Sequence, residues 1–182
     1  GAAFRRSFEV EGRPIGDARQ RPDVFINMAT PSFFDTFGIR VLHGRGFDDR
    51  DRRGSVPVAL VNQAFVKTFL PGVSPVGQRL IFSPFEFGRA RGSSPPVVWE
   101  VVGVHVDVVN DELGREPLPE VTIPFWQVPW PWTVLAVHSA GSAGHESEIG
   151  QIVRQLDPGL PLANVRTIQQ TLSESIAHDR FY

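Results

Sequence analysis

The chain has 182 residues, 41% of them hydrophobic, and 18 Lys and Arg stand against 20 Asp and Glu for a formal net charge of −2. That length and apolar content can build a core and exclude a disordered tail, while the near-balanced charge offers no electrostatic footprint for nucleic acid or an anionic membrane surface. The lack of cysteine excludes disulfides, thiolate nucleophiles and Cys-based zinc sites, yet leaves the compartment open, since a domain this large needs no disulfides in an oxidising space.

No window approaches the roughly 18 consecutive apolar residues of a membrane span, and no charged start followed by an apolar run marks a signal peptide. Residues 23–28 (DVFINM) predict a short strand. Pro31, at a first helical position behind Thr30 as N-cap, opens a brief helix through Phe37 that Gly38 closes. Residues 39–43 predict a strand from β-branched content and from the Gly-rich boundary at Gly44 and Gly46. Residues 48–54 (DDRDRRG) read as a charge-mixed, solvated loop. Residues 56–61 then predict a buried strand, and Asn62 caps a helix running to about Leu70, with Ala64, Phe65, Thr68 and Phe69 near one face and Pro71 and Gly72 as its stop.

Residues 77–82 predict another strand, and the Pro, Gly and Ser-rich residues 83–96 a long mobile loop. Residues 97–109, 121–125 and 133–139 are apolar and β-branched enough for three further strands. Residues 146–156 predict a helix with Ile149, Ile152, Val153 and Leu156 on its inward stripe, stopped by Asp157, Pro158 and Gly159. A short strand at 162–165 and a helix capped by Thr167 and running to about His178 complete a mixed α+β domain.

Candidate chemistry is sparse. Of the five histidines, His43, His105, His138, His145 and His178, only His105 suggests a pair: with Asp107 two residues on along a strand it would share one face and offer two metal ligands. A third ligand is not visible, and a structural or surface role is favoured. His145 and Glu146 fall at an expected helix N-terminus, where the helix dipole alone explains the glutamate. No H-E-x-x-H and no G-x-S-x-G are present. The G-x-G of Gly44, Arg45 and Gly46 lacks the third glycine of a dinucleotide fingerprint, Asp49 standing there, and the glycines read as turn formers. The carboxylates of Asp48, Asp49 and Asp51 are offset by Arg50, Arg52 and Arg53, and the calcium-loop pattern is absent. The least ordinary composition is Phe125, Trp126, Trp130 and Trp132 threaded with Pro124, Pro129 and Pro131. Exposed, these aromatics could grip a partner protein, an apolar cargo or a sugar ring; buried, they would join two lobes. Phe85 and Phe87 in the long loop are similar candidates.

Five blocks in order, TPSFFDTFGIRVLHGRGF (30–47), VPVALVNQAFVKTFLPGVSPVGQRL (56–80), WEVVGVHVDV (99–108), EVTIPFWQ (120–127) and LDPGLPLANVRTIQQTL (156–172), resemble the extracytoplasmic domain of MacB-type, FtsX-like ABC transporter permeases. The resemblance covers the chain from about Val24 onward and rests on the ordered series "GRGF", "VNQAF", "FLPG" and "P-x-G-Q-R-L". It implies a two-lobed α+β fold: a porter-like βαβ base from 1–44 and 128–182, with a strand-rich, sabre-like lobe, 45–127, inserted. It also implies a non-catalytic role without cofactor, metal or catalytic residues, in which cytoplasmic ATP hydrolysis is coupled to export or to a periplasmic partner by conformational change. The implied partners are flanking transmembrane helices of the same chain, an ABC ATPase subunit or domain, a second permease copy and a periplasmic protein, with no nucleic acid. The implied place is the periplasmic side of a bacterial inner membrane, anchored by segments beyond Gly1 and Tyr182, and an isolated domain is expected to be monomeric. The alternative is a free-standing secreted binding module for a glycan, peptide or lipid that uses the tryptophan cluster; a small hydrolase is a distant third.

Overall fold

The structure, a computed structural model, describes residues 4–13, 17–82, 95–108, 116–128, 133–139, 145–160, 163 and 165–167. Its first strand, β1 (Phe4–Val10), lies outside every predicted element. The cause is plain in the alternation: Phe8 and Val10 are buried and Phe4 packs on the same core, while Arg5 and Ser7 are exposed. β2 (Asp23–Ala29) follows, then the five-residue helix α1 (Ser32–Thr36), whose Phe34 is buried. The expected side-chain cap by Thr30 is not made. The cap position is Pro31, and the Thr30 hydroxyl instead meets that of Ser32 at 3.2 Å.

The remaining strands are β3 (Val41–Gly44), β4 (Val58–Asn62), β5 (Arg79–Phe82), β6 (Val97–His105) and β7 (Glu120–Pro124), with α2 (Gln63–Phe69) after β4. They close on themselves. β1 runs antiparallel to β2 and β5, β2 parallel to β7, β7 antiparallel to β4, β4 parallel to β6, and β6 antiparallel to β5. This circuit of six strands leaves no unpaired edge between β5 and β6. β3 is added antiparallel to the far end of β6, through Gly44 opposite Gly103.

The period of two in the strands divides the core. Ala59 and Val61 of β4 join Phe8, Ile26, Leu80, Trp99, Val121 and Ile123 inside, with Phe65 of α2 packed on the Phe8 ring at 5.3 Å. Val58 and Leu60 face the other way, onto Phe34, Phe47 and Val102. Both faces of β4 are therefore covered, which is why its five residues are all buried and read as a continuous apolar run.

Two sequence expectations fail. Residues 133–139 form no strand: Val134, Leu135 and Val137 are exposed and no ladder reaches them from the described residues. β-propensity records fit to a half-covered pleated surface, and none of the described strands pairs with these residues. β6 ends at His105 and not at 109: residues 106–108 lie outside the strand, although the Val106 N–H still bonds the Arg40 carbonyl just before β3 at 3.0 Å.

α3 (Glu146–Leu156) has the expected bounds, but Ile152 and Leu156 of its supposed inward stripe are exposed. The expected strand at 162–165 falls partly outside the described residues, and Ala163 and Val165 are irregular. The expected helix from Thr167 to His178 lies outside them beyond Thr167, as does the loop 83–94.

By contacts the chain forms two compact units, 1–108 with 116–136, and 109–115 with 137–182. The first holds the closed sheet with α1 and α2, and strands from both sides of residue 44 share that sheet. The second holds α3. Among the described residues, no helix is long and apolar enough to cross a membrane. The fold is mixed α+β and strand-rich.

Candidate functional site

Of the five aromatic residues expected to contact a partner or cargo, Trp126 alone lies among the described residues; Phe85, Phe87, Trp130 and Trp132 lie outside them. Trp126 sits in the turn that follows β7 and is 50% exposed, with Phe125 edge-on to it at 5.4 Å. The turn is held by backbone bonds from Phe125 N–H to the Ala29 carbonyl at 2.9 Å and from Gln127 N–H to the Pro124 carbonyl at 3.0 Å. The exposed indole therefore stands on a fixed base.

Gln127 next to it uses its whole carboxamide. Its Oε1 accepts from Val58 N–H at 3.1 Å, and its Nε2 donates to the Ser55 hydroxyl and to the Val56 carbonyl, each at 2.8 Å. Gln127 thereby pins the approach to β4. Beside it lies a cleft of about 240 Å³ walled by Pro57, Val97, Trp99 and Val128, with Ser55 and Gln127 as its polar lining.

The loop entering this region is solvated as its charge predicts, except at Asp51. Asp51 is buried, and both its oxygens accept from the Arg45 guanidinium, at 2.7 and 2.9 Å; Oδ2 also accepts from the Asp48 N–H at 2.9 Å. The hydrogen bond that Arg45 donates to Asp51 holds its guanidinium above its ordinary range. Hydrogen bonds from the Arg50 side chain and N–H hold the exposed Asp48 carboxyl well below the usual carboxylate range. Sequence reasoning counted these charges as a cancelling mixture; the signal it missed is that Asp51 lies six residues from Arg45 across a tight turn. Asp51→Ala leaves Arg45 and the Asp48 amide without their partner, and urea unfolding should show a loss of about 2 kcal/mol, with Asp48→Ala costing clearly less. Equal losses would contradict the central place given to Asp51.

Gly44 does more than turn. It has φ +72°, and a Cβ there would stand 2.1 Å from the Val102 carbonyl oxygen, so it permits the close approach of β3 to β6.

The expected His105 and Asp107 pair is not formed on one strand face. His105 ends β6, almost wholly buried, while Asp107 lies beyond the strand and its carboxylate accepts from Ala64 N–H at 2.8 Å, in the first turn of α2. Asn62 serves the same helix: its Oδ1 accepts from Phe65 N–H at 2.9 Å, as a cap must. His43 and His138 are exposed, His178 lies outside the described residues, and His145 occupies the N-cap of α3 with Nδ1 3.4 Å from Glu148. Among the described residues, no three His, Asp or Glu side chains gather to hold a metal ion.

The family model described as the MacB-like periplasmic core domain matches residues 2–170. No match was found among curated proteins. Among solved structures, the periplasmic region of MacB from Actinobacillus actinomycetemcomitans is similar at a TM-score of 0.55 and 16% identity, over 94% of this chain and 72% of that one. The extracellular domain of the noncanonic ABC-type transporter YknZ from Gram-positive bacteria gives a TM-score of 0.42 and 20% identity over 68% of this chain. This chain spans about half of that domain, 51%. A domain of a putative permease from Porphyromonas gingivalis gives 0.48 and 15%, over 94% and 82% of the two chains.

Proposed function

Because the chain belongs to the family of MacB-like periplasmic core domains, the extracytoplasmic part of MacB-type ABC transporter permeases, we propose that it is a non-catalytic module that relays a cytoplasmic ATP cycle to an exported cargo or a periplasmic partner. The match over residues 2–170 carries this reading. In it, membrane helices of the same chain anchor the domain on the periplasmic side of a bacterial inner membrane. A separate ABC ATPase supplies the energy, and a second permease copy and a periplasmic protein complete the assembly. The described residues support a mechanical role: their strands close into one rigid, densely filled sheet, and their polar side chains are spent on internal hydrogen bonds.

The finer division into a porter-like base, 1–44 and 128–182, and a strand-rich, sabre-like lobe, 45–127, belongs to the same proposal. Separately moving lobes hinged at 44 are disfavoured, because strands on either side of it share a sheet. Exposed Trp126 is proposed as a contact for partner or cargo, together with Phe85, Phe87, Trp130 and Trp132.

This domain contributes no cysteine of its own, so single cysteines at the exposed Val56 and Leu156 give a spin-label pair in a full-length permease and ATPase from which any other cysteines have been replaced. Their distance distribution should change between the nucleotide-free and ATP-trapped states; an unchanged distribution sinks mechanical coupling. A photo-crosslinker at position 126 of the same assembly should capture a protein or cargo only when ATP is supplied, whereas capture that ignores ATP would oppose this role for Trp126. A coding sequence with polar flanks and a signal peptide would instead favour a secreted binding module.

A further inference from the structure

The cleft beside Gln127 has no charged residue in its lining. Pro57, Val97, Trp99 and Val128 wall it, and its volume of about 240 Å³ is larger than the roughly 150 Å³ apolar cavity that takes up benzene. A small flat ring system therefore fits. Ser55 and Gln127, its polar residues, are already engaged. The Ser55 hydroxyl donates to the Arg52 carbonyl at 2.7 Å and accepts from Gln127 Nε2 at 2.8 Å, while Gln127 also holds Val56 and Val58.

Charge stands at the rim instead. Gly54 lines the cleft, and Arg52 and Arg53 just before it are exposed. Their turn is fixed, since the Ser55 N–H also donates to the Arg52 carbonyl, at 3.0 Å. Among the carboxylates of this loop, Asp48 pairs with Arg50 and Asp51 with Arg45, which leaves Asp49 against both Arg52 and Arg53. The Arg52 guanidinium gives only its Nε, to the Asp49 carbonyl at 2.7 Å, and no ion pair among the described residues reaches Arg52 or Arg53.

We propose that cleft and rim together bind a small organic anion, a flat apolar ring system bearing one carboxylate. The rings displace water from the Pro57, Val97, Trp99 and Val128 walls. The carboxylate is met by Arg52 and Arg53, whose planar fork donates two parallel hydrogen bonds to such a group. Both halves are needed: an exposed ion pair alone is worth little, and rings alone find Ser55 and Gln127 committed elsewhere. This deepens the relay reading, on which it rests only for the role of the ligand as cargo. Binding itself needs no ATPase, so it fails or succeeds separately from the relay.

The probe is 2-naphthoate, titrated into the 182-residue chain while the Trp99 indole and Gly54 amide signals are followed by NMR. Both signals should move saturably, with a dissociation constant of about 1 mM, an ordinary efficiency for a ligand of this size. Arg52→Gln combined with Arg53→Gln, both at exposed positions, should weaken binding about tenfold and leave the urea midpoint in place. 2-Naphthol, with the rings but no charge, should bind the native chain as weakly as 2-naphthoate binds the variant, and acetate should move neither signal. The proposal is overturned if 2-naphthoate moves neither signal saturably, if it binds native chain and variant alike, or if 2-naphthol binds the native chain as well as it does.

Discussion

Gly103→Ala should cost the fold about 3 kcal/mol or more, a large effect for one methyl group. The residue lies in β6 at a register shift against β4, but its φ is not left-handed, so backbone conformation does not explain its glycine. The cause is space. A Cβ there would stand 2.3 Å from the Arg45 carbonyl oxygen and 3.1 Å from that of His43, and backbone atoms cannot swing aside as a flexible side chain would. Gly44 opposite meets the same limit from the other side against Val102. β3 and β6 thus approach through two glycines, and an alanine must push β3 off the sheet together with Arg45 and the loop that Asp51 closes. Gly54→Ala is the control: φ is +89° there and the surroundings are open, so only the left-handed penalty of about 1 kcal/mol applies. Urea unfolding of the two variants decides the matter; if Gly103→Ala is no worse than Gly54→Ala, β3 is loosely held and the close contact is not a constraint.

Residues whose fate is decided by near neighbours were legible in the sequence. Asn62 before an apolar face marked α2 correctly, since a cap acts three residues away, and the continuous apolar run of β4 announced a doubly covered strand. β1 carried a readable alternation, but it lies before the first residue of the family resemblance. What could not be read depends on residues far apart in the chain. The closure of β5 onto both β1 and β6 is a fact of topology. Residues 133–139 carry the composition of a strand, but none of the described strands pairs with them. Asp107 looked like a metal ligand because strand periodicity was extended two residues too far; β6 ends at His105, and the carboxylate goes to a helix amide. The candidate site was legible only as composition. That Trp126 is presented outward depends on where the Ala29 carbonyl holds the turn.

Asn62→Ala should be the second severe substitution, costing about 3 kcal/mol where an ordinary N-cap loss costs about 1 kcal/mol. The excess arises because Asn62 is buried and does two jobs. Besides capping α2 through Phe65, its Oδ1 accepts from Glu120 N–H at 2.9 Å and its Nδ2 donates to the Leu118 carbonyl at 2.8 Å, so one carboxamide fastens the start of β7 to the helix. Alanine leaves all three backbone groups without this partner, the Phe65 and Glu120 amides among them buried. Asn62→Asp separates the jobs: it keeps the acceptor, and its charge suits the helix N-terminus, but it sets a carboxylate oxygen against the Leu118 carbonyl, so its loss should fall between native and alanine. Hydrogen exchange supplies the decisive readout. In Asn62→Ala the Phe65 and Glu120 amides should lose protection together, although they belong to elements 55 residues apart in the chain. If Phe65 alone loses protection, Asn62 is a simple cap and the start of β7 is held by its strand partners β2 and β4.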